Sequence, residues 1–333
     1  MSAMNLLILT NNPDRASFRQ RVVVYLDILR EAGIHCEVAT LPGGLIASQK
    51  LFKLAGRFDG VFLHKKKLNP LDAFWLRRYS QKTIYNFDDA IMYDERNPAR
   101  INWLRLIPFR RTVRLADMVI VGSSYLAQHA QMFNPNVEVL PLGLKVADYK
   151  VQNPCKSDGK TRLVWIGSQS TLKYLEEIKP AIETLGTRFD NIVLRIIGDR
   201  FFDLSNMPVE KRLWSEQTRA LDLVTSDIGL APLPDDRFTQ GKCSFKVLEY
   251  SAAGLPVVAS PVGTNIDHIR ENVTGFFARD SAEWLDRLTV LIKDPQLRKT
   301  MGQQGQIYSQ QCDISVIGKR FAEIIRKCLA DAA

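Results

Sequence analysis

The chain of 333 residues is long enough for two ordinary domains. Its balance of 46% hydrophobic and 24% charged residues, without a low-complexity tract, excludes a disordered or fibrous protein. The net charge of +9 is uneven: residues 1–150 hold 21 Lys and Arg against 13 Asp and Glu, and the remainder 24 against 23. That asymmetry points to an anionic partner for the first half, whether a membrane leaflet, a nucleic acid or an acidic substrate.

No apolar run approaches the ~20 residues that span a bilayer. The apolar start Met4–Thr10 lacks a basic flank and a small-residue cleavage site, so it is read as a first strand. Cys36, Cys155, Cys243, Cys312 and Cys328 are widely spaced and form no CxxC, which indicates neither a disulfide framework nor a zinc site. The cytoplasm is the expected location.

In chain order, Asn5–Thr10 reads as a strand, Phe18–Ala32 as a helix stopped by Gly33, and His35–Ala39 as a second strand. That order implies a parallel sheet with a right-handed crossover. The first turn has no GxGxxG, which argues against an ordinary nicotinamide dehydrogenase; Arg15, Arg19 and Arg21 lie there instead. Gly60–His64 is a buried strand followed by Lys65, Lys66 and Lys67, and Leu71–Ser80 is a helix. Lys82–Phe87 is a strand ending at Asp88 and Asp89, where a parallel sheet presents its ligand side. These carboxylates could accept sugar hydroxyls or a proton, or merely cap a helix; His64 ends the matching strand. Arg100–Leu115 mixes arginines with Trp103 and Ile107, and Pro108 is expected to break or kink it. A face of Trp103, Arg110 and Arg111 suits an anionic membrane surface, or a core helix with snorkelling arginines. Met118–Gly122 and Val137–Leu140 close this half.

The polar stretch Lys145–Lys160, with Pro154 and Gly159, sets a boundary between residues 1–150 and the rest. Thr161–Ile166 restarts the pattern and ends in Gly167-Ser168-Gln169-Ser170-Thr171, a turn able to offer N–H groups to phosphate with Lys173 nearby. Leu194–Ile197 ends at Gly198, Trp214 is placed in a helix finishing before Asp222, and Ile228–Leu233 is another strand. In RFTQGKCSFKVLEYSAAGLPVVASPVGT, residues 237–264, Gln240-Gly241-Lys242 is read as opening a helix that Gly254 stops. Pro256–Ala259 is then a central strand, and Gly263 and Thr264 form a second loop. Lys242, Ser244 and Lys246 at a helix start suit a phosphorylated ligand. Glu271–Phe277 is a strand and Ser281–Lys293 an amphipathic helix.

Lys242 to Gly263, with Glu249 and the GLPVVAS run, resembles the donor-site signature of glycosyltransferase family four, retaining enzymes of the GT-B fold. Ser17-Phe18-Arg19, Phe87-Asp88-Asp89-Ala90, Val121-Gly122-Ser123-Ser124 and Trp165-Ile166-Gly167-Ser168 look like patterns of a bacterial branch. The resemblance implies an α/β protein of two Rossmann-like domains facing a cleft. The acceptor would lie on residues 1–150 and the nucleotide-sugar on 151–312, with a final helix, 313–333, crossing back. By position, Glu249 would bond the ribose hydroxyls, Lys173 the diphosphate, and Gly263-Thr264 would sit near the phosphates. Two positions depart from the family pattern. Gly241 stands where a sugar-contacting glutamate is usual, and Ser168 where an arginine is usual, so Lys242 or Lys246 is expected to supply the missing charge.

The expected activity is sugar transfer from a nucleotide-diphosphate donor to a saccharide or lipid-linked acceptor, in cell-envelope or exopolysaccharide synthesis. A sugar-nucleotide epimerase or phosphorylase on the same fold, or a degenerate binding subunit, are the alternatives. No cofactor or metal is expected, since positive side chains and helix N-termini can stabilise a leaving diphosphate. Expected partners are the donor, the acceptor and the anionic inner-membrane surface, and not nucleic acid.

Overall fold

The computed structural model describes residues 3–152 and 158–330. Pro154 and Cys155 of the expected linker lie outside the described residues. The chain divides into two compact units: Met1–Gly143, Asp236–Cys243 and Ile314–Ala333 form the first, and Leu144–Asp235 with Ser244–Asp313 the second.

The first unit holds strands β1 (Met4–Thr10), β2 (Ile34–Thr40), β3 (Gly60–His64), β4 (Thr83–Phe87), β5 (Met118–Val121) and β6 (Val137–Val139). All pair in parallel, in the order β2-β1-β3-β4-β5-β6. β3, β4 and β5 are buried at every residue, as a parallel sheet covered on both faces requires. The closing helix, Ile314–Ala330, covers one face with Ile317, Phe321, Ile324, Ile325 and Cys328, a three- and four-residue spacing. Phe321 meets Tyr25 and Phe62 edge-on, with centroids 5.6 Å apart. Its burial contributes roughly 1.5–3 kcal/mol.

The second unit holds β7 (Thr161–Ile166), β8 (Ile192–Gly198), β9 (Val209–Leu213), β10 (Ile228–Ala231), β11 (Val257–Ala259) and β12 (Gly275–Phe277). Their parallel order, β12-β11-β10-β7-β8-β9, is that of a dinucleotide-binding Rossmann sheet. Trp165, Leu194, Ile196, Leu288 and Leu291 lie in its core. The order reverses between β7 and β10, and in the first unit between β1 and β3; open sheets bind ligands beyond strand ends at such points.

Several local expectations change. The helix expected over Phe18–Ala32 is interrupted: Ala16–Arg21 and Leu26–Glu31 are helical, with a tight turn Val23–Tyr25 between them. Val22 leaves helical geometry at φ −132°, ψ −60°, in a run of three valines that weakens helix propensity. Pro108 does not break its helix, which runs Trp103–Leu115. The carbonyl it leaves unpaired belongs to Leu104, an exposed residue, so water can donate to it. Trp214 follows β9 rather than lying in a helix, and the helix after it, Arg219–Val224, contains Asp222. Gln240-Gly241-Lys242 does not open the helix of its stretch: Thr239–Gly241 is a separate tight turn. Helix Phe245–Ala252 starts after Ser244, whose left-handed φ of 37° breaks the two apart. Gly254, at φ 74°, ends that helix. The strand expected from Glu271 is confined to Gly275–Phe277, with Asn272 at φ 64° between.

Candidate functional site

At the ends of β7 and β8, Gly167 and Gly198 leave no space for side chains. A Cβ on Gly167 would lie 2.6 Å from the Trp165 ring, and one on Gly198 2.6 Å from the Gly167 carbonyl oxygen. The Trp165 ring is fully buried, and the Lys246 ammonium stands 4.4 Å from its centroid. Lys246 lies in the first turn of helix Phe245–Ala252, whose N-cap Ser244 makes no side-chain cap bond. Three buried polar atoms here have no partner among the described residues: Trp165 Nε1, Ser244 Oγ and Asn265 Oδ1. Asn265 is fixed by its amide nitrogen, which donates to the carbonyls of Ala231 and Ser260 at the ends of β10 and β11. Buried polar groups are rarely left unpaired, so the Ser244 and Asn265 orphans, on segments that leave strand ends, favour a polar ligand, whereas Trp165 lies within β7.

The same helix carries Glu249, 5% exposed. Its Oε1 accepts from the Tyr149 hydroxyl and the Arg219 guanidinium, both at 2.9 Å. Arg219 also donates to Tyr149 at 2.7 Å and to Asp148 at 3.2 Å. Burial pushes the Glu249 carboxyl above its ordinary range, and Arg219 opposes that rise. Both partners converge on Oε1, which leaves Oε2 for a ligand. Arg219, Tyr149 and Asp148 escaped sequence reasoning because they come from two short elements distant in the chain.

The turn after β7 is less open to an outside anion. The Gln169 N–H, at the start of helix Gln169–Glu177, donates to Asp199 Oδ1 at 2.7 Å. The carboxylate at this helix terminus is thus the protein's own. Ser168 is exposed, and Lys173 lies 5.0 Å from the Tyr174 ring centroid. Gly263 takes a left-handed φ of 58°, and Thr264 is buried at the start of the short helix Asn265–His268.

A second constellation lies at the ends of β1, β3 and β4 in the first unit. Lys65, at a left-handed φ of 53°, places its ammonium 2.8 Å from Asp88 and 2.5 Å from Asp89. Lys242 pairs with the other oxygen of Asp89 at 3.2 Å. Lys242 therefore sits among carboxylates of this unit and not at a helix start, because Asp236–Cys243 packs with the first unit. Burial would raise both aspartates, but Lys65 overcomes it and holds them below the ordinary carboxylate range. The same pairs raise Lys65 against a burial that would lower it. His64 is buried, which pushes it down to about 4 and keeps it neutral. Its Nε2 lies 3.2 Å from Ser17 Oγ, and its Nδ1 3.0 Å from Asn86 Oδ1. Ser17 donates to Asp88, whose oxygens are 3.0 and 2.9 Å away.

Gly241 belongs to this packing. A Cβ there would meet the Ala90 nitrogen at 2.8 Å and the Ala90 Cβ at 2.7 Å, so the loop has no space for the usual glutamate. Cys243 also fits here, its thiol donating to the Asp88 carbonyl at 3.1 Å.

The remaining basic residues divide. Arg21 is buried and donates to the Leu140 carbonyl at 2.6 Å, so it fixes the sheet and presents no charge to a surface. Lys67 donates to the Ile91 carbonyl; burial, followed by Arg105, pushes it down to about 8. Lys66 is half-buried, and Arg19 donates to the Asp14 carbonyl. Arg110 stacks on Phe133, and Arg111 donates to the Leu68 carbonyl. Arg77, Arg110, Arg111 and Arg114 line a depression of about 430 Å³ with Ile107 and Leu115. Trp103, Leu104 and Ile107 of the same helix are exposed.

Residues 160–294 match the family model described as Glycosyl transferases group 1. No curated protein matches the chain. Among solved structures, the chain is similar to sucrose-phosphate synthase from Thermosynechococcus elongatus, at 14% identity and TM-score 0.78 over 98% of this chain and 100% of that one. It is similar to Anabaena Alr3699/HepE in complex with UDP, at 18% identity and TM-score 0.73 over 98% and 100%. WaaG, a glycosyltransferase of lipopolysaccharide biosynthesis, gives 15% identity and TM-score 0.71 over 96% and 99%. These likenesses establish the fold: the α/β architecture of GT-B glycosyltransferases. No helix among the described residues is long and apolar enough to cross a membrane.

Proposed function

We propose that the chain is a retaining glycosyltransferase that moves a hexosyl group from a nucleotide-diphosphate sugar, held by the second unit, to a saccharide or lipid-linked acceptor held by the first. The supporting observation is helix Phe245–Ala252, which combines Lys246 and the unpartnered Ser244 hydroxyl at its start with the buried Glu249 one turn on. A cation at a helix N-terminus suits a diphosphate, and a fixed carboxylate suits vicinal ribose hydroxyls. Anabaena Alr3699/HepE was solved with UDP and with UDP-glucose, which favours a UDP-sugar here. As the glycosidic bond breaks, charge grows on the leaving diphosphate; Lys246 and the helix terminus would stabilise it without a metal. Asp88, Asp89 and His64 would orient sugar hydroxyls in the first unit, and no covalent intermediate is invoked.

Calorimetric titration with UDP, GDP and ADP tests this reading. One diphosphate is expected to bind, and Lys246→Ala to weaken it about 10-fold or more. Absence of binding by all three, or unchanged affinity in the variant, would remove the donor site from Phe245–Ala252.

The arginine-lined depression and the exposed Trp103, Leu104 and Ile107 support peripheral attachment at the cytoplasmic face of an envelope membrane. Vesicles containing phosphatidylglycerol should then sediment the protein at low salt and release it at high salt. Equal sedimentation with purely zwitterionic vesicles would contradict an electrostatic attachment.

A further inference from the structure

The hydrogen bonds around His64 leave one donor missing. Asn86 Nδ2 donates to the Ile120 carbonyl at 3.0 Å, which turns Oδ1 toward His64 Nδ1. An amide oxygen only accepts, so Nδ1 carries the imidazole proton and the neutral ring presents a lone pair at Nε2. The hydroxyl nearest that lone pair is Ser17, which has one proton and three acceptors in reach: Nε2 at 3.2 Å and the Asp88 oxygens at 3.0 and 2.9 Å. Given to Asp88, the proton leaves Nε2 bare. Given to Nε2, it leaves Asp88 Oδ2 bare, because Lys65 satisfies Oδ1. His64 and Asp88 are only 4% and 6% exposed, whereas Ser17 is half-buried at the accessible edge of the cluster. Among the described residues the cluster therefore lacks an O–H or N–H, and it lies where an open sheet receives ligands.

We propose that Ser17, with His64 Nε2 and Asp88, is a specificity-determining subsite that receives a sugar hydroxyl as hydrogen-bond donor, so that one ligand O–H completes the network. The inference rests on the glycosyltransferase reading and adds to it a residue and a chemical preference. The subsite takes a group that donates and rejects an isosteric group that only accepts. Ser17 decides which of the two acceptors the ligand meets, so changing Ser17 alters the discrimination and not only the affinity.

The probes are glucose, galactose and mannose with their monodeoxyfluoro derivatives, titrated calorimetrically into protein saturated with UDP. Fluorine keeps the shape but donates no proton. For one hexose, replacing one hydroxyl is expected to weaken binding about 10-fold or more, the loss that follows when a buried charged acceptor goes unpaired. In Ser17→Ala that ratio should change at least about 5-fold, while UDP affinity stays within about twofold. A ratio identical in wild type and Ser17→Ala assigns Ser17 a structural role and overturns the proposal. UDP binding with no sensitivity to fluorine at any position overturns the proposal and spares the functional reading. Failure to bind any nucleotide diphosphate removes the reading itself, and the proposal with it.

Discussion

Replacing Glu249 with alanine is expected to destabilise the second unit by about 3–5 kcal/mol, the usual cost of leaving a buried charge without its partner. Arg219 keeps Asp148 at 3.2 Å but loses its shorter contact at 2.9 Å, and the Tyr149 hydroxyl loses its acceptor. Tyr149 is buried, so its hydroxyl does not gain water in exchange for the lost carboxylate. Urea unfolding measures the loss directly, and in a domain of this size it lowers the melting temperature by roughly 10 °C. A second substitution, Arg219→Met, removes the stranded charge, so the double variant should recover part of the stability lost in Glu249→Ala. A single variant within about 0.5 kcal/mol of wild type would mean that Oε1 contributes no net stability, leaving Glu249 with at most a ligand role. Nucleotide-diphosphate affinity measured below the unfolding transition separates the two roles.

The sheets were legible because their strands are short apolar runs bounded by glycine, proline or charge. β3 and β7 lie where Gly60–His64 and Thr161–Ile166 predicted them, and Ser281–Lys293 is helical at its predicted limits. β9 was not legible: Val-Glu-Lys-Arg-Leu has no clear period and is held at a sheet edge by β8. The valines at 22–24 and Pro108 show tertiary context deciding in opposite directions, breaking one periodic helix and sparing another that contains a proline. In the candidate site the order of the chain misled in one instructive place. Lys242 and Lys246 are four residues apart and read as belonging to one helix start, but the chain divides at the left-handed Ser244 between them, with Lys242 in the first unit and Lys246 in the second. Asn86 and Arg219 gave no signal of their own, and Ser17 only as part of a resemblance pattern, since an amide, an arginine and a hydroxyl gain meaning from partners 22 to 71 residues away.

Lys65→Met should cost the first unit a comparable 3–5 kcal/mol at pH 7, because Lys65 pairs with both the buried Asp88 and the half-buried Asp89. Lys242 pairs with Asp89, and neutral His64 offers Asp88 no charge. The sign of the pH dependence distinguishes this cause from a packing defect. In the wild type, Lys65 holds Asp88 and Asp89 below their unfolded range. Their stabilisation is therefore full above the unfolded pKa of about 3.9 and is lost only as pH falls below it. Without Lys65, burial raises Asp88 above its unfolded value, so the folded variant binds the extra proton first and gains stability as pH falls from 7 toward 5. The gap between variant and wild type should thus narrow on acidification, whereas a packing defect would leave it constant. Lys65→Gly adds a second axis. It loses the same charge but frees the residue from a left-handed conformation that costs a side chain about 1–2 kcal/mol. The glycine variant should accordingly be the more stable of the two, and Asp88→Asn should rescue both. Urea unfolding at pH 7 and 5 measures all five proteins: wild type, the two Lys65 variants and each combined with Asp88→Asn. A gap that widens at pH 5, or a methionine variant as stable as wild type, would mean that Lys65 does not neutralise the pair.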